Sequence, residues 1–397
     1  MVLGGGGRES ALAWKLIQSP QCGKLFVLPG NGGTSDYNVE SNVKIDDFES
    51  IAGFCDAKRI DLVVVGPEQP LIDGISNFLE SRGVAVFGPK AEAAQLEGSK
   101  SYAKAFMHQH KIPTASARKF DQSSIAEGLD FIRHQEPPVV LKADGLAAGK
   151  GVLIEQDIES ALLSFEQMLS GKFGEASQTV LIEQFLQGRE FSVFALTDGQ
   201  DYRILPVSKD YKRVGEGDTG LNTGGMGAVS PVPFVHKELM DKVERRIVRP
   251  TIEGLSKEKM DYRGVIFFGL IEVDGEPYVI EYNCRFGDPE TEVVLPRLKS
   301  DLLSHLMACC KNRLSQEKIE LSERACSTVI LASGGYPGPY AKGKQIHLPG
   351  EENDVFVFHA GTKRQDNQLL TNGGRVLAVT AMADDYQKAL EKSYSHI

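Results

Sequence analysis

Apolar runs long enough to span a bilayer are missing from this sequence, and so is any excess of positive charge. A spanning helix needs about 20 consecutive apolar residues, and a general nucleic-acid binder carries a basic face. Here 44 Lys+Arg stand against 54 Asp+Glu, a net charge of -10, so the compatible partner is a small anion held by a few local cations. Cysteine is sparse too: six in 397 residues, Cys309 and Cys310 adjacent, with no CxxC or Cys/His spacing. That argues against a disulfide framework or a zinc site and predicts reduced, structural thiols in a cytoplasmic protein. A glycine loop is reached by Gly4, so a signal peptide is not expected. No internal repeat and no disordered tail is visible.

What is present is glycine, 41 residues gathered in short loops, on an ordinary background of 41% hydrophobic and 25% charged residues. The length predicts two to four domains. Over residues 1–98 apolar strands (MVL, KLFVLPG, LVVVG, VAVFGPK) alternate with helical segments, the pattern of a parallel sheet with helices on both faces. Ligands of such sheets sit beyond the carboxyl ends of the strands, where loops rich in Gly, Asn or Pro follow. From Gly98 the pattern changes. SKSYAKAFMHQH reads as an amphipathic helix capped by Ser99. PPVVLKADGLAAGKGVLIEQ reads as two strands around a glycine loop, and TVLIEQFLQGREFSVFALTDG as a strand pair with a polar connection. Residues 203–235 are poor in regular signals, and a loop that long is functional or disordered. GVIFFGLIEVDGEPYVIEYN is a hairpin turning on Asp274-Gly275, and a last unit from about Ala325 holds three strands and a helix.

Two glycine loops invite motif readings that fail. ADGLAAGKG, 143–151, has three residues between Gly145 and Gly149, and Gly151 follows Lys150, so it is not GxxxxGK[ST]. A side-chain-poor flap remains, whose backbone N–H groups can approach phosphate oxygens, with Lys142 at the strand end as a point charge. GGGGRES, 4–10, has Glu9 where GxGxxG requires glycine, which speaks against a dinucleotide. It still opens a helix whose N-terminus attracts anions, with GNGGT, 30–34, as a second wall. TVLIEQFLQGRE offers backbone to a base edge and a carboxylate to ribose hydroxyls. In VIEYNCRFGDPE, 279–290, strand alternation puts Glu281, Asn283 and Arg285 on one face and Ile280, Tyr282, Cys284 and Phe286 on the other. Two hard oxygen donors suit Mg²⁺, which keeps phosphate oxygens and waters, and Arg285 suits a carboxylate or phosphoryl group. Taken singly, the glycine loops and the 179–190 segment are more often tight or solvated turns, and the flap a hairpin turn about one time in three. Together they point to magnesium nucleotide chemistry.

These residues carry a resemblance. KADGLAAGKGV, EQFLQGRE, GDTGLNTGGMGAVSP and EYNCRFGDPETEVVLPRL, with GGRE and PGNGGT near the start, resemble glycinamide ribonucleotide synthetase, an ATP-grasp family. The likeness runs along essentially the whole chain. It implies an α/β and α+β multidomain protein: an N-terminal parallel-sheet pre-ATP-grasp domain over 1–98, a two-subdomain ATP-grasp core over 99–324 with 115–190 as the lid, and a small, shortened C-terminal α+β domain over 325–397. It implies ligation of glycine to 5-phosphoribosylamine in purine biosynthesis: ATP phosphorylates the glycine carboxylate, and the amine displaces phosphate.

By motif, the resemblance implies that Lys104 and Lys142 hold the ATP phosphates beneath the flap of Gly145, Gly149 and Gly151. Glu183, Phe185 and Leu186 line the adenine pocket and Glu190 binds ribose. Glu281 and Asn283 ligate Mg²⁺ or Mn²⁺, and Arg285 steadies the transferred phosphoryl group or the glycine carboxylate. The loop Asp210–Gly227, with Asp210, Asp218, Asn222, Thr223 and Gly224, closes over the substrates. Gly6, Gly7, Arg8, Glu9, Asn31, Gly33 and Thr34 cradle the phosphoribosyl group, with Glu68 nearby. No Ser or Cys nucleophile is expected, because positioning and charge neutralisation dominate phosphoryl transfer. The implied partners are small molecules, with no nucleic acid or membrane, and the protein is a monomer or weak homo-oligomer. Ser10 replaces the usual histidine after GGRE. The region holding Phe268, Gly269 and Leu270 lacks the third acid many ATP-grasp proteins carry, Glu272 being nearest. The competing readings are another ATP-grasp enzyme, such as a biotin-dependent carboxylase component, against which GDTGLNTGGMG speaks, and a non-catalytic nucleotide binder.

Overall fold

The computed structural model describes residues 1–39, 43–147, 149–217 and 219–397. At the N-terminus, Val2–Gly4, Val27–Pro29, Leu62–Val65 and Ala85–Phe87 form a four-stranded sheet, each neighbouring pair parallel. The strands are short and almost wholly apolar because helices cover both faces. The helix Phe48–Lys58 starts at Asp47, whose carboxylate accepts from the Ser50 N–H, and stops at Arg59 in the left-handed region. The expected parallel sheet is present.

A second sheet joins Ala117–Asp121, Thr179–Gln184, Val139–Ala143 and Val152–Glu155, all antiparallel. The helices Ile125–Arg133 and Ile158–Gln167 close a small core on it, with Phe120, Ile132, Leu141 and Phe165 at its centre. A third sheet runs Tyr202–Ile204, Arg189–Thr197, Gly264–Val273, Glu276–Asn283. Thr179–Gln184 and Arg189–Thr197, expected as a pair, therefore lie in different sheets. Each buries its apolar residues in a different core, and residues 185–188 pass between them.

Residues 203–235 hold more regular structure than their composition suggests. Lys209–Gly215 and Thr219–Ser230 form an antiparallel hairpin, and the second strand pairs with Ala325–Ala332 in a five-stranded sheet completed by Arg375–Ala383 and Val355–His359. Gly, Asn and Asp have weak strand preference; the neighbouring strand supplies what intrinsic preference does not. The hairpin at Asp274-Gly275 is as expected, both residues at positive φ (50° and 79°), the conformation a two-residue turn requires. One apolar cluster, including Val2, Leu12, Phe194, Phe267, Phe286, Phe358 and Ala378, ties the first, the third and the five-stranded sheets into one body. Among the described residues no helix is long and apolar enough to cross a membrane.

Candidate active site

The strand Glu276–Asn283 is the floor of the site. Its register against Gly264–Val273 slips once: Gly269 faces Glu281 and Leu270 faces Val279, leaving Ile280 as a bulge. Bulges re-aim side chains. Val279, Tyr282 and Cys284 all reach one core, whereas Ile280, expected among them, is only half-buried. Its carbonyl accepts instead from the Lys142 ammonium at 3.4 Å.

Lys142, next to last in the strand Val139–Ala143, shares the buried Glu183 carboxylate with Lys104, at 2.9 and 3.3 Å. Lys104 also donates to the Thr114 hydroxyl (2.8 Å) and the Ala115 carbonyl (3.0 Å), and Thr114 donates to the Val279 carbonyl at 2.7 Å. Glu183, expected against an adenine, is thus the counter-ion of two lysines: strand alternation turns it inward. A third cation was not anticipated. Lys100, in the first turn of the helix Lys100–Gln109, donates to the Gly145 carbonyl at 3.2 Å, and Asp144 ties that loop to the helix through Ser99 and the Ser101 N–H. Burial, opposed by the Glu281 charge and reinforced by Lys142, lowers the Lys100 ammonium. Burial likewise lowers Lys104 to about 8, with Glu183 opposing and Lys142 adding to the shift. Three crowded ammonium groups with one buried carboxylate between them are poised for an added anion. Lys100 falls one helical turn before Lys104, so the helical spacing could have flagged it.

The flap loop above follows the Gly145 turn, where the N–H donates to Ala176 at 3.0 Å and a Cβ would stand 3.0 Å from the Ala176 Cα. Gly149 has φ +73°, and the Gly151 carbonyl accepts from Ala143. Phe185 and Leu186 are half-buried in the passage between sheets, and Glu190 is exposed beside Lys212 at 3.7 Å.

Glu281 is half-buried and engages no donor among the described residues; Asn283 is buried, its Oδ1 accepting from Arg285 at 3.1 Å and its Nδ2 unpartnered. A Cβ at Gly269 would stand 3.1 Å from the Glu281 Cγ, so a side chain there would press on Glu281. Glu272, the nearest acid, pairs with Arg189 (2.8 Å) and the Gly275 N–H (2.6 Å) at the far end of the hairpin. No cluster of three or more His, Cys, Asp or Glu among the described residues could hold a metal by itself. An uncommitted carboxylate and an under-satisfied amide, close to cations that attract phosphate, fit an ion completed by phosphate oxygens and water.

Arg285 is held by Glu97 (2.9 Å) and Glu68 (3.5 Å). Burial raises the Glu97 carboxyl, which Arg285 opposes; for Glu68 burial is outweighed by Arg285, a backbone hydrogen bond and Arg8 acting together, which lower it. Cys284 packs in the core and donates its N–H to Glu97 at 2.7 Å.

The N-terminal loops meet at Gly5 and Gly30, where a Cβ on the former would stand 2.6 Å from the Gly30 carbonyl oxygen. Glu9 folds back to accept from the Gly6 N–H at 2.6 Å and from Arg8 Nε at 2.6 Å, and Asp288 accepts from the Arg8 N–H at 3.2 Å. Glu292 lies over Gly7, fully buried with both oxygens unpartnered. The helix N-terminus expected to attract a phosphate is therefore already faced by three carboxylates of the chain itself. Asn31 binds the Gly5, Gly6 and His359 carbonyls, its Oδ1 accepts from Gly33, and Thr34 accepts from the Asn31 N–H. Ser10 accepts from the His359 N–H at 3.2 Å and borders a cavity of about 700 Å³ shared with Trp14 and Phe356.

In the hairpin, Asp210 is buried against Lys212 (2.9 Å); Thr223 donates to the Lys212 carbonyl (2.7 Å); Asn222 is exposed. Asp218 lies outside the described residues. Arg375, which no sequence signal marked, donates to the Gly224 carbonyl (2.7 Å) and pairs with Asp288 (3.0 Å), fastening the hairpin to the 287–290 turn. All six cysteines are unpaired, as expected.

Comparison with known proteins agrees with this geometry. The family description "Phosphoribosylglycinamide synthetase" matches in three parts: N domain over residues 1–97, ATP-grasp (A) domain over 98–291 and C domain over 326–397. A phosphoribosylamine–glycine ligase of Nostoc sp. is 47% identical over 404 residues, covering 100% of this chain and 95% of that protein. The bifunctional purine biosynthetic protein PUR2,5 of Pichia angusta is 45% identical over 403 residues; this chain spans 51% of its length. The crystal structure of phosphoribosylamine–glycine ligase from Thermotoga maritima superposes with a TM-score of 0.87 at 36% identity, covering 100% of this chain and 95% of that one.

Proposed function

The chain belongs to the phosphoribosylglycinamide synthetase family, ATP-grasp ligases of purine biosynthesis, and we propose that it joins glycine to 5-phosphoribosylamine at the expense of ATP, in the cytoplasm, with a divalent cation, as a monomer or weak homo-oligomer. The observation that supports this most is the convergence of Lys100, Lys104 and Lys142 on the strand that carries Glu281 and Asn283.

In this reading the lysines bind the triphosphate, with the Gly145–Gly151 flap above it. Phe185 and Leu186 flank the base, Glu190 receives the ribose hydroxyls, and Glu183 holds Lys104 and Lys142 in place. Glu281 and Asn283 hold Mg²⁺ or Mn²⁺, which neutralises phosphate charge when bound. Arg285, fixed by Glu97 and Glu68, directs its remaining donors to the transferred phosphoryl group. A carboxylate is a poor electrophile; phosphorylated, it has a good leaving group, so the glycine carboxyl becomes an acyl phosphate that the amine attacks. The protein's share is alignment and charge. Around Gly6 and Gly7 the acids Glu9, Asp288 and Glu292 suit hydroxyl or amino donors better than phosphate, and Arg8 and Arg375 balance them. Asn31, Gly33 and Thr34 shape the neighbouring wall. The domain limits that fit this assignment are 1–98, 99–324 and 325–397.

Phosphate release that needs ATP, glycine and phosphoribosylamine together is the expected result, abolished by Glu281→Gln and by chelation of divalent cations. Release that persists without glycine would overturn the assignment.

A further inference from the structure

Asp144 stands where the strand Val139–Ala143 gives way to the flap, and it is half-buried. Its carboxylate is divided between the two neighbours of Lys100: Oδ2 accepts from the Ser99 hydroxyl at 2.9 Å, and Oδ1 accepts from the Ser101 N–H at 2.6 Å. Lys100 itself is held at both ends by the same short segment. Its N–H donates to the Asp144 carbonyl at 3.1 Å, and its ammonium donates to the Gly145 carbonyl at 3.2 Å. The segment is fixed in turn from behind, where the Asp144 and Gly145 N–H groups donate to the Thr179 and Ala176 carbonyls, both at 3.0 Å.

Capping alone does not call for this arrangement. Ser99 already caps the helix Lys100–Gln109 by accepting from the Tyr102 N–H at 3.2 Å. That helix packs through Ala103, Phe106 and Met107 into the core of the third sheet, whereas Asp144 extends a strand of the second. The carboxylate therefore joins two separately built pieces at the one residue, Lys100, whose ammonium must serve the cleft between them. Of the charges that oppose the effect of burial on that ammonium, Glu281 is the largest, ahead of Asp144 and Glu183. Lys100 thus faces the carboxylate assigned to the metal.

We propose, on the reading of the lysines as triphosphate ligands, that Asp144 is a positioning residue: by clasping Ser99 and Ser101 it sets Lys100 beside Glu281 and Lys142, and thereby sets the affinity for ATP. Its two oxygens are given to the helix, and its effect on the nucleotide passes through Lys100. A cation on a long flexible stem binds phosphate well only when its backbone is held, because small misplacements of a binding group are costly.

The test measures the affinity of the full chain for Mg-ATP by titration calorimetry, and the KM for ATP and for glycine by phosphate release. Asp144→Ala should weaken ATP binding about tenfold or more, the scale of a lost hydrogen bond to a charged group, and raise the ATP KM in step while the glycine KM stays within about threefold. Asp144→Asn, which still accepts from the Ser101 N–H, should recover most of the loss. Lys100→Met should weaken ATP at least as much as Asp144→Ala. The deciding measurement is the double variant. Once Lys100 is replaced, Asp144→Ala should cost no more than about a further twofold; losses that multiply mean that Asp144 acts elsewhere, and they overturn the proposal. Unchanged ATP affinity in Asp144→Ala overturns it as well. If Asp144→Ala does not fold, Ser99→Ala takes its place in the cycle: it removes one of the two donors on the carboxylate, and its loss of about threefold should vanish in the Lys100→Met background. A wild type that binds Mg-ATP but releases no phosphate with glycine and phosphoribosylamine breaks the ligase assignment alone. A wild type that does not bind Mg-ATP ends both.

Discussion

Replacing Glu183 by glutamine is the sharpest probe of the lysine cradle. The carboxylate is 4% exposed and the side chains of Lys142 and Lys104 are 7% and 12% exposed, so solvent screens the pairs weakly. Removing one partner of a buried pair costs about 3–5 kcal/mol. Here the lower end applies, because glutamine still accepts a hydrogen bond and the lysines keep the Thr114, Ala115 and Ile280 oxygens. A loss of about 3 kcal/mol lowers the melting temperature by roughly 3–4 °C in a chain of 397 residues that unfolds as one unit. Two readouts identify charge as the cause. The Lys104 pKa, already down at about 8, falls further without its counter-ion. A lysine whose folded pKa lies below the unfolded value makes the fold gain stability as pH rises, so the deficit of the variant should shrink as pH rises to about 8, where the wild-type Lys104 also loses its proton, and stay level above that. A bound triphosphate should also replace the missing negative charge, so ATP should raise the melting temperature of the variant more than that of the wild type. Differential scanning fluorimetry across pH, with and without nucleotide, measures both. A deficit that ignores pH and nucleotide alike would mean that Glu183 contributes only packing.

Two further substitutions follow from the same geometry. Burial, and then the Asp288 charge, hold the Glu292 carboxyl well above the usual range. The folded state therefore keeps a proton that the unfolded chain releases above about pH 4.3, and stability falls as pH rises, by about 1.4 kcal/mol per unit, until the folded group ionises; Glu292→Gln should be near-neutral at pH 4 and stabilising at pH 7 by chemical denaturation, and equal effects at both would refute the burial argument. Gly225 has φ +115° and a Cβ there would press on the Pro289 ring, so Gly225→Ala should cost roughly 1–3 kcal/mol and lower turnover more than stability by shifting the 287–290 turn; unchanged kcat would show that the turn is not held by this contact.

The strands of the N-terminal sheet were legible because double-sided burial writes a continuous apolar run. The hairpin at Asp274-Gly275 was legible because its turn demands those residues. Lys104, Lys142, Glu281 and Asn283 were placed together by motif, and the geometry does bring them to one cleft. What escaped was long-range. Lys209–Ser230 looks irregular because its pairing partner lies a hundred residues on, and local composition says nothing of that strand. The inward turn of Glu183 and the half-buried Ile280 depend on alternation phase and on one bulge, which a periodic reading cannot locate. Arg375 carries no motif: its role exists only because Gly224 and Asp288 stand on either side of it. The N-terminal glycines announced an anion site, and three of the chain's own carboxylates, distant in sequence except for Glu9, occupy its surroundings.

The strand Thr219–Ser230 takes its hydrogen bonds on one side from its own hairpin and on the other from Ala325–Ala332. A fragment ending near residue 324 would keep the lysines, the flap and the Glu281 strand, yet it would leave that edge bare and adhesive. The segment bearing Asp210 and Thr223 would lose its rail, and Arg375 would no longer pin it. Amputating the last unit should therefore remove the ability to complete the reaction while sparing much of the ability to grip nucleotide, which makes the C-terminal sheet a working part of the catalyst and not an ornament on it.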